Sequence, residues 1–202
     1  ITQGDINGIG YEVIIKTLSD TKLTENRTIV VYGSPKVASY YKKILNIPSV
    51  NFNQIRNARE AVKKKINIIN VNSNEIRVEV GKSTSLSGEA AFQALEAATN
   101  DMKENLIDVL ITAPINKKNI NSPGFNFPGH TEYLNKVFNV EESLMFLVSD
   151  RIKVGVVTGH VPITRVPSYI TEANICKKIR LMNQSLIQDF AIRKPKIAVL
   201  GL

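Results

Sequence analysis

The strongest constraint on the fold is an alternation of short apolar runs with amphipathic segments along most of the chain. The apolar runs are largely β-branched or aliphatic, as expected for strands covered on both faces of a sheet. Strands are predicted at 28–32, 66–71, 107–112, 144–149, 153–158 and 196–200. Helices are predicted at 10–18, 35–45, 88–102, 131–138 and 171–190. This alternation indicates an α/β protein built around a largely parallel sheet.

Local signals refine two places in this pattern. Ser34 directly before Pro35 predicts an N-cap followed by proline in the first helical turn. Residues 76–80 alternate apolar and charged side chains, which is typical of a strand with one wet face. We therefore expect an antiparallel edge strand or a subdomain arm within residues 72–87.

Composition narrows the classes of partner. The net charge is +8, but the lysines are scattered or in short clusters, so the sequence does not favour nucleic acid. A basic balance does suit a small anionic molecule. No apolar run approaches the roughly 18 to 20 residues of a membrane span, so no membrane partner is expected. The single cysteine, Cys176, cannot form an internal disulfide, which favours the cytoplasm.

Both ends of the chain carry strand patterns. The chain opens in what resembles the tail of a strand, and residues 196–202 form an apolar run at its other end. A core strand in the last position predicts that further residues follow it. We therefore expect the chain to be incomplete at both ends.

Only two histidines occur, and each follows a glycine where an apolar run gives way to polar residues. His130 and Thr131 open a predicted helix, with Thr131 as a candidate N-cap, where they could hold a phosphate or a hydroxyl. His160 follows the predicted strand 153–158. Ligands of open α/β sheets bind beyond the carboxyl ends of the strands, so both histidines are candidate ligand contacts.

Two further segments could bind an anion. Residues 3–10 form a glycine-dense loop that leads into a helix, but its spacing is neither the dinucleotide fingerprint nor a Walker A loop. A purely structural turn explains it equally well. Lys117 follows the predicted strand 107–112 after a proline, and is either a phosphate contact or a solvated surface lysine.

The spacing of residues does not define a metal or hydrolase site. A catalytic metal usually takes about three protein ligands, and His160 has no His-x-x-His or Cys-x-x-Cys partner nearby. A Gly-x-Ser-x-Gly elbow is also missing from the sequence. Spacing alone therefore leaves the role of His160 open.

Taken in order, six segments resemble the 4-hydroxythreonine-4-phosphate dehydrogenase family of vitamin B6 synthesis. They span nearly the whole chain, and their ordered occurrence is more specific than any one of them. The segments are 4–10, 81–83 together with 87–88, 111–117, 129–132, 160–162 and 195–202.

The resemblance implies an isocitrate/isopropylmalate-dehydrogenase-like α/β fold in two domains around a largely parallel sheet. Residues 1–202 would then be the N-terminal part of one such dehydrogenase. It also implies a homodimer with the active site at the subunit interface. The implied reaction is NAD- or NADP-dependent oxidation of 4-phosphohydroxy-L-threonine, followed by decarboxylation to 3-amino-2-oxopropyl phosphate. A divalent metal (Zn, Mg or Co) would assist.

Residue by residue, the resemblance implies that His130 and Thr131 contact the phosphorylated substrate and that His160 is the first of three metal histidines. The family's other two metal histidines fall after the segment that corresponds to Leu202. Three alternatives remain. The first is a related dehydrogenase acting on another phosphorylated hydroxy acid or a cyclic diol carboxylate. The others are a non-redox phosphate-binding or acyl-transfer protein of similar fold, and a non-catalytic interaction domain.

Overall fold

The computed structural model describes residues 1–72, 76–121 and 124–200. These residues form two compact units, one of residues 1–138 and one that begins at Asn139. The first unit contains a parallel sheet with helices, and the second contains an antiparallel strand pair and a long helix. Each unit is described by itself below.

The sheet of the first unit confirms the predicted parallel α/β architecture. Strands β1 (Ile29–Gly33), β2 (Phe52–Ile55) and β3 (Ile66–Asn70) pair in the order β1-β3-β2, and both pairings are parallel. Beyond β1 the sheet continues through Thr2, which forms parallel bridges to Tyr32 on one side and Thr112 on the other. The first residues of the chain therefore lie in the middle of the sheet.

The described part of the first unit contains five helices, and the starts of two of them follow local sequence signals. They are α1 (Gly10–Leu18), α2 (Lys22–Glu25), α3 (Pro35–Ile44), α4 (Ser85–Lys103) and α5 (His130–Val137). The Ser34 side chain accepts a hydrogen bond from the Val37 amide at the start of α3, as predicted. The Thr84 side chain accepts one from the Ser87 amide at the start of α4. A 3-10 turn at Ala58–Glu60 precedes β3.

The buried polar residue Gln3 joins the segment around Thr2 to neighbouring parts of the first unit. Gln3 is fully buried, and its side-chain oxygen accepts hydrogen bonds from the Tyr11 hydroxyl (2.9 Å) and the Ser34 amide (2.9 Å). Its side-chain nitrogen donates to Asn72 Oδ1 and to the Ala90 carbonyl, both at 3.0 Å. Because every hydrogen-bonding atom of this amide is used, its burial carries no unsatisfied-group penalty. Gln3 thus fixes the position at which the glycine-dense loop begins.

The second unit is small and mostly half-buried or exposed. Strands β4 (Phe146–Val148) and β5 (Lys153–Gly155) pair with each other antiparallel, whereas the sequence predicts a largely parallel sheet. Two helices follow, α6 (Val166–Tyr169) and α7 (Glu172–Gln188). Lys178 of α7 forms an ion pair of 2.6 Å with Glu142, beside the hairpin. Within the parts of the chain that the structure describes, no helix is long and apolar enough to cross a membrane.

Two predicted strands are wrong. Residues 107–112 form no ladder, because only Thr112 pairs, through a single bridge to Thr2. Val109 and Ile111 are 71% and 58% exposed, so this segment is an edge with one wet face rather than a buried strand. Residues 196–200 are also not a strand, and Leu200 is 91% exposed. An apolar run needs a neighbouring strand to form a ladder, and this run has none among the described residues.

The predicted arm at 72–87 is also corrected. Residues 73–75 lie outside the described residues, and residues 76–80 have no strand structure. The alternation of apolar and charged side chains reflects an irregular segment that packs Ile76 and Val78 against the core. Strand β2 was not predicted, because its central residues Asn53 and Gln54 interrupt the apolar pattern.

Candidate functional site

The order of the strands creates a topological switch point at the segment that contains Thr2. From Thr2 the chain goes to β1 on one side, and later returns to Thr112 on the other side. In open parallel sheets, ligands bind beyond the carboxyl ends of the strands at such a point. The segments that leave these two carboxyl ends are the glycine-dense loop after Thr2 and the residues that follow Thr112.

Two glycines of the loop, Gly4 and Gly10, are required by close contacts with neighbouring backbone. Gly4 adopts a positive φ of 66°, and a Cβ there would lie less than 3.0 Å from the Pro114 carbonyl oxygen. A Cβ at Gly10 would come equally close to the Gln3 carbonyl oxygen. Backbone cannot move aside cheaply, so both positions need glycine for steric reasons. The structural turn, rather than a phosphate cradle, explains why these two residues are glycine.

Side chains hold the loop from two sides. The Tyr41 hydroxyl donates to the Ile6 carbonyl at 2.8 Å and also lies 3.2 Å from the Gly8 carbonyl oxygen. Asp5 Oδ1 accepts a hydrogen bond from the Asn7 amide at 3.0 Å. The loop is therefore rigidly placed at the switch point.

The segment before α4 lies against the same loop. Asn7 Nδ2 donates to the Lys82 carbonyl and to Thr84 Oγ1. Asn116, on the segment that follows Thr112, donates through Nδ2 to the Ser83 hydroxyl oxygen at 3.2 Å. The loop, the start of α4 and the post-strand segment are thus joined by one set of polar contacts.

His130 lies next to this set, as the first residue of α5. Its N-cap is Gly129, which has an extended backbone and no side chain, so Thr131 is not the predicted N-cap but the second helical residue. His130 Nε2 is buried and has no hydrogen-bond partner among the described residues. Burial lowers the pKa of His130 below its usual 6.5, and the nearby charge of Lys117 lowers it further. The imidazole is therefore neutral at pH 7.

Lys117 is part of the same neighbourhood. Its Nζ lies 3.9 Å from the point where a Cβ on Gly129 would stand, and its side chain is exposed. Thr131 is also exposed. A neutral imidazole with a free nitrogen, an exposed hydroxyl and an ammonium group at a helix start form a suitable set for a phosphorylated hydroxy compound.

His160 belongs to the second unit. Strand β5 ends at Gly155, so His160 does not stand at the end of a strand as the sequence analysis predicted. Its side chain is exposed. Across the described ranges, no group of three or more His, Cys, Asp or Glu side chains could hold a metal ion. His160 is the one candidate metal ligand that the sequence analysis identified.

Sequence reasoning missed the polar residues that join these segments. Asn7, Ser83 and Asn116 carry no pattern that separates them from ordinary loop residues. Asn119 is a further case, since its Oδ1 is buried and without a partner while its Nδ2 donates to Ser87 Oγ at 2.9 Å. Asn7, Ser83 and Asn116 do lie within segments that carry the family resemblance, whereas Asn119 lies outside them.

Comparison with known proteins identifies a family for this chain. The family model described as "Pyridoxal phosphate biosynthetic protein PdxA" matches residues 25–202. The chain belongs to this family. Its resemblance to the 4-hydroxythreonine-4-phosphate dehydrogenases, inferred above from six ordered segments, is therefore confirmed.

Curated PdxA relatives match the whole chain. The 4-hydroxythreonine-4-phosphate dehydrogenase of Bacteroides thetaiotaomicron is 45% identical over 100% of this chain and 56% of its own length. The enzyme of the same name from Sulfurihydrogenibium sp. is 40% identical over 100% of this chain and 62% of its own length. The chain thus spans less than two thirds of the length of these relatives.

A solved structure shows the same fold. The 4-hydroxythreonine-4-phosphate dehydrogenase from Burkholderia phymatum superposes with a TM-score of 0.84 at 28% identity. The match covers 96% of this chain and 59% of that one. The described arrangement of helices and strands is therefore that of a PdxA dehydrogenase over this part of the family's length.

Proposed function

We propose that the protein is an NAD- or NADP-dependent dehydrogenase that oxidises 4-phosphohydroxy-L-threonine in the synthesis of vitamin B6. Membership of the PdxA family and the names of its relatives support this reaction. The structural observation that carries the proposal is the buried, unpartnered Nε2 of His130. A buried polar atom without a partner is costly unless a ligand supplies the missing hydrogen bond.

The proposed substrate roles follow from the positions of the side chains. His130 Nε2 forms a hydrogen bond with a substrate oxygen, and the Thr131 hydroxyl forms another at the first turn of α5. Lys117 offers its positive charge to the phosphate as a point charge. Because the imidazole is neutral, it can bind the substrate without placing a second positive charge beside that of Lys117.

The proposed reaction has two stages. The secondary alcohol gives a hydride to the nicotinamide and a proton to solvent or base, which leaves a ketone beside the carboxylate-bearing carbon. The bond between that carbon and the carboxylate then breaks, carbon dioxide leaves, and the carbon takes up a proton from solvent to give 3-amino-2-oxopropyl phosphate. The nicotinamide supplies the redox chemistry when it is bound. Gly4 and Gly10 are used in backbone packing, and no nucleotide contact is assigned to the described residues.

The metal part of the proposal concerns His160 alone. The described residues do not fit a metal site by themselves, because one exposed imidazole cannot supply the roughly three protein ligands of a catalytic metal. No step of the reaction is therefore routed through a metal here. We propose His160 as one ligand of a divalent ion (Zn, Mg or Co) whose other ligands come from outside the described residues.

The proposal extends to the assembly. We propose a homodimer with the active site at the subunit interface and an isocitrate/isopropylmalate-dehydrogenase-like arrangement of two domains. Family membership supports both, and a free, half-buried Cys176 is consistent with work in a reducing cytoplasm.

The test is reduction of NAD+ and NADP+ by the full-length protein with 4-phosphohydroxy-L-threonine and each divalent metal. We expect His130→Ala to raise KM by about 10- to 100-fold, the range for a lost hydrogen bond to a charged ligand. Tyr40→Phe, which alters an exposed side chain, is the matched control. No reduction of either nucleotide by the wild-type protein would refute the proposed reaction. Faster turnover of another phosphorylated hydroxy acid would move the assignment to that substrate.

A second experiment tests the metal ligand. We expect His160→Ala in the full-length protein to abolish metal-dependent turnover and to weaken metal binding in equilibrium dialysis. Unchanged metal affinity and turnover in this variant would rule out His160 as a ligand.

A further inference from the structure

Asn7 is a buried residue of the glycine-dense loop and makes five hydrogen bonds, as many as Gln3 makes at the start of the loop. It is 2% exposed. Its backbone amide donates to Asp5 Oδ1, and its backbone carbonyl accepts from the Gly81 amide at 2.8 Å. Its side chain accepts one hydrogen bond through Oδ1 and donates two through Nδ2. Such full use of a buried amide fixes the groups around it.

These bonds fasten one segment, residues 79–84, to the loop. Asn7 Oδ1 accepts from the Glu79 amide at 2.8 Å. Asn7 Nδ2 donates to the Lys82 carbonyl at 3.0 Å and to Thr84 Oγ1 at 3.2 Å. One asparagine therefore holds the segment at four positions, since the Gly81 amide also bonds to its carbonyl.

The segment has little else to hold it in place. It has no regular secondary structure before α4 begins at Ser85. The Lys82 ammonium pairs with Glu79 at 2.8 Å, but Lys82 is exposed and Glu79 only half-buried, and ion pairs open to solvent contribute little. The Asn7 contacts are thus the main buried polar link between the segment and the core.

The segment leads directly to the candidate site. Thr84 is the N-cap of α4, and Ser83 accepts a hydrogen bond from Asn116. Asn116 in turn precedes Lys117, whose charge acts on His130. A shift of residues 82–84 would therefore alter the position of the post-strand segment that carries Lys117.

We propose that Asn7 is a positioning residue, which holds residues 79–84 against the glycine-dense loop and so sets the affinity of the site for its phosphorylated substrate. This inference rests on the proposed function for its substrate. Asn7 acts through Ser83, Thr84 and Asn116, and not by touching the reacting atoms. Its loss therefore affects substrate binding more than the chemical step.

The kinetic test compares Asn7→Ala with Asn53→Ala in the full-length protein. Asn53 is a half-buried asparagine whose Nδ2 donates one hydrogen bond to Asn67 in the neighbouring strand. For Asn7→Ala we expect KM for 4-phosphohydroxy-L-threonine to rise roughly tenfold, as for the loss of one to two net hydrogen bonds, with kcat within about threefold of wild type. For Asn53→Ala we expect KM to stay at the wild-type value, even if thermal stability falls as far as in Asn7→Ala.

Two substitutions of Thr84 test whether the hydroxyl that accepts a hydrogen bond from Asn7 is the group that matters. Thr84→Ser keeps the hydroxyl that accepts from Asn7 and from the Ser87 amide, so we expect wild-type KM. Thr84→Val removes that hydroxyl at constant shape, so we expect a higher KM, in the same direction as Asn7→Ala.

Limited proteolysis provides a readout that needs no turnover. Trypsin cuts after Lys82, which lies on the fastened segment, and after Arg77, which lies two residues before it. We expect cleavage at these two sites to be several-fold faster in Asn7→Ala, because local opening becomes more populated. Cleavage within residues 63–65, a loop that Asn7 does not contact, serves as the internal reference.

The outcomes distinguish the two proposals. Wild-type KM in Asn7→Ala overturns the positioning role, whatever the proteolysis shows. An inactive wild-type protein refutes the proposed reaction and with it the effect on this substrate. In that case the cleavage rates alone decide whether Asn7 fastens the segment, and unchanged rates after Arg77 and Lys82 overturn that as well.

Discussion

The Cα of Gly88 lies directly against the main-chain carbonyl of Asn119. A Cβ built on Gly88 would come less than 3.0 Å from the oxygen and the carbon of that carbonyl, and also from the Ile120 nitrogen. Helix α4 thus approaches the post-strand segment backbone to backbone. This close approach brings Ser87 within reach of the Asn119 side chain.

We expect Gly88→Ala to lower the free energy of unfolding by about 3 kcal/mol or more, because neither backbone can move aside within a packed core. The measurement is urea unfolding followed by circular dichroism. Gly8→Ala is the control, since its Cβ would meet Asp5 only at an ordinary contact distance of 3.5 Å. Equal stability of the two variants would show that α4 can retreat from the Asn119 segment.

We expect Asn67→Ala to destabilise the first unit by about 2 to 3 kcal/mol, the cost of leaving buried polar groups unpaired. Asn67 is fully buried in β3, and its Nδ2 donates to the Ile29 and Val62 carbonyls. Asn53→Ala removes only one hydrogen bond to the same residue, so its effect should be smaller. Thermal unfolding of both variants measures the difference, and a larger loss in Asn53→Ala would contradict the central role of Asn67.

Adjacent tyrosines offer a matched pair of substitutions. Tyr41→Phe leaves the Ile6 carbonyl without its donor inside a buried loop, so we expect a loss of about 1 to 2 kcal/mol. Tyr40→Phe changes a ring that is 41% exposed and should be nearly neutral. Both variants keep the edge-to-face ring contact between the two residues. Chemical denaturation compares them directly, and equal stabilities would mean that the Tyr41 hydroxyl does not hold the loop.

The pKa of His130 should lie below 6.5, since burial and the charge of Lys117 both oppose protonation. NMR titration of the imidazole carbon resonances tests this. The protein has only two histidines, so His160→Gln assigns the signals. Lys117→Met should raise the pKa of His130 toward its usual value. A wild-type pKa at or above 6.5 would contradict the buried environment.

The same shift predicts how stability depends on pH. The unfolded chain binds a proton on His130 more readily than the folded chain does, so stability increases with pH in this range. The contribution is fully present above about pH 6.5 and is lost as pH falls through the lower folded pKa. His130→Gln should reduce this slope relative to wild type, and an unchanged slope would contradict the prediction.

Helix positions were predictable where the signal is local. The start of α3 follows from Ser34 and Pro35, and α1 has the predicted bounds because its apolar stripe begins directly after the glycines. The start of α5 was predicted one residue late, because Thr131 resembles an N-cap while the actual N-cap, Gly129, has no side chain to signal it.

Strands were less predictable, because a strand depends on its neighbours. Residues 107–112 have the composition of a buried strand, yet only Thr112 finds a partner. β2 has a weak pattern but becomes a strand because β3 lies alongside it. By contrast, the sequence indicated His130 as a candidate site residue, because it follows Gly129 near the predicted start of a helix. The hydrogen bonds of the Asn7 side chain to residues 79–84 were not predictable, because these partners lie more than seventy residues away in the sequence.

The central place of Thr2 has a consequence for folding during synthesis. One of the two bridge partners of Thr2 is Thr112, which is translated 110 residues later. At roughly 5 to 20 residues per second, translation delivers that partner on the order of 5 to 20 s later. Until then the nascent glycine-dense loop lacks the segment that covers it, and a chaperone that protects it during this interval would improve the yield of folded protein.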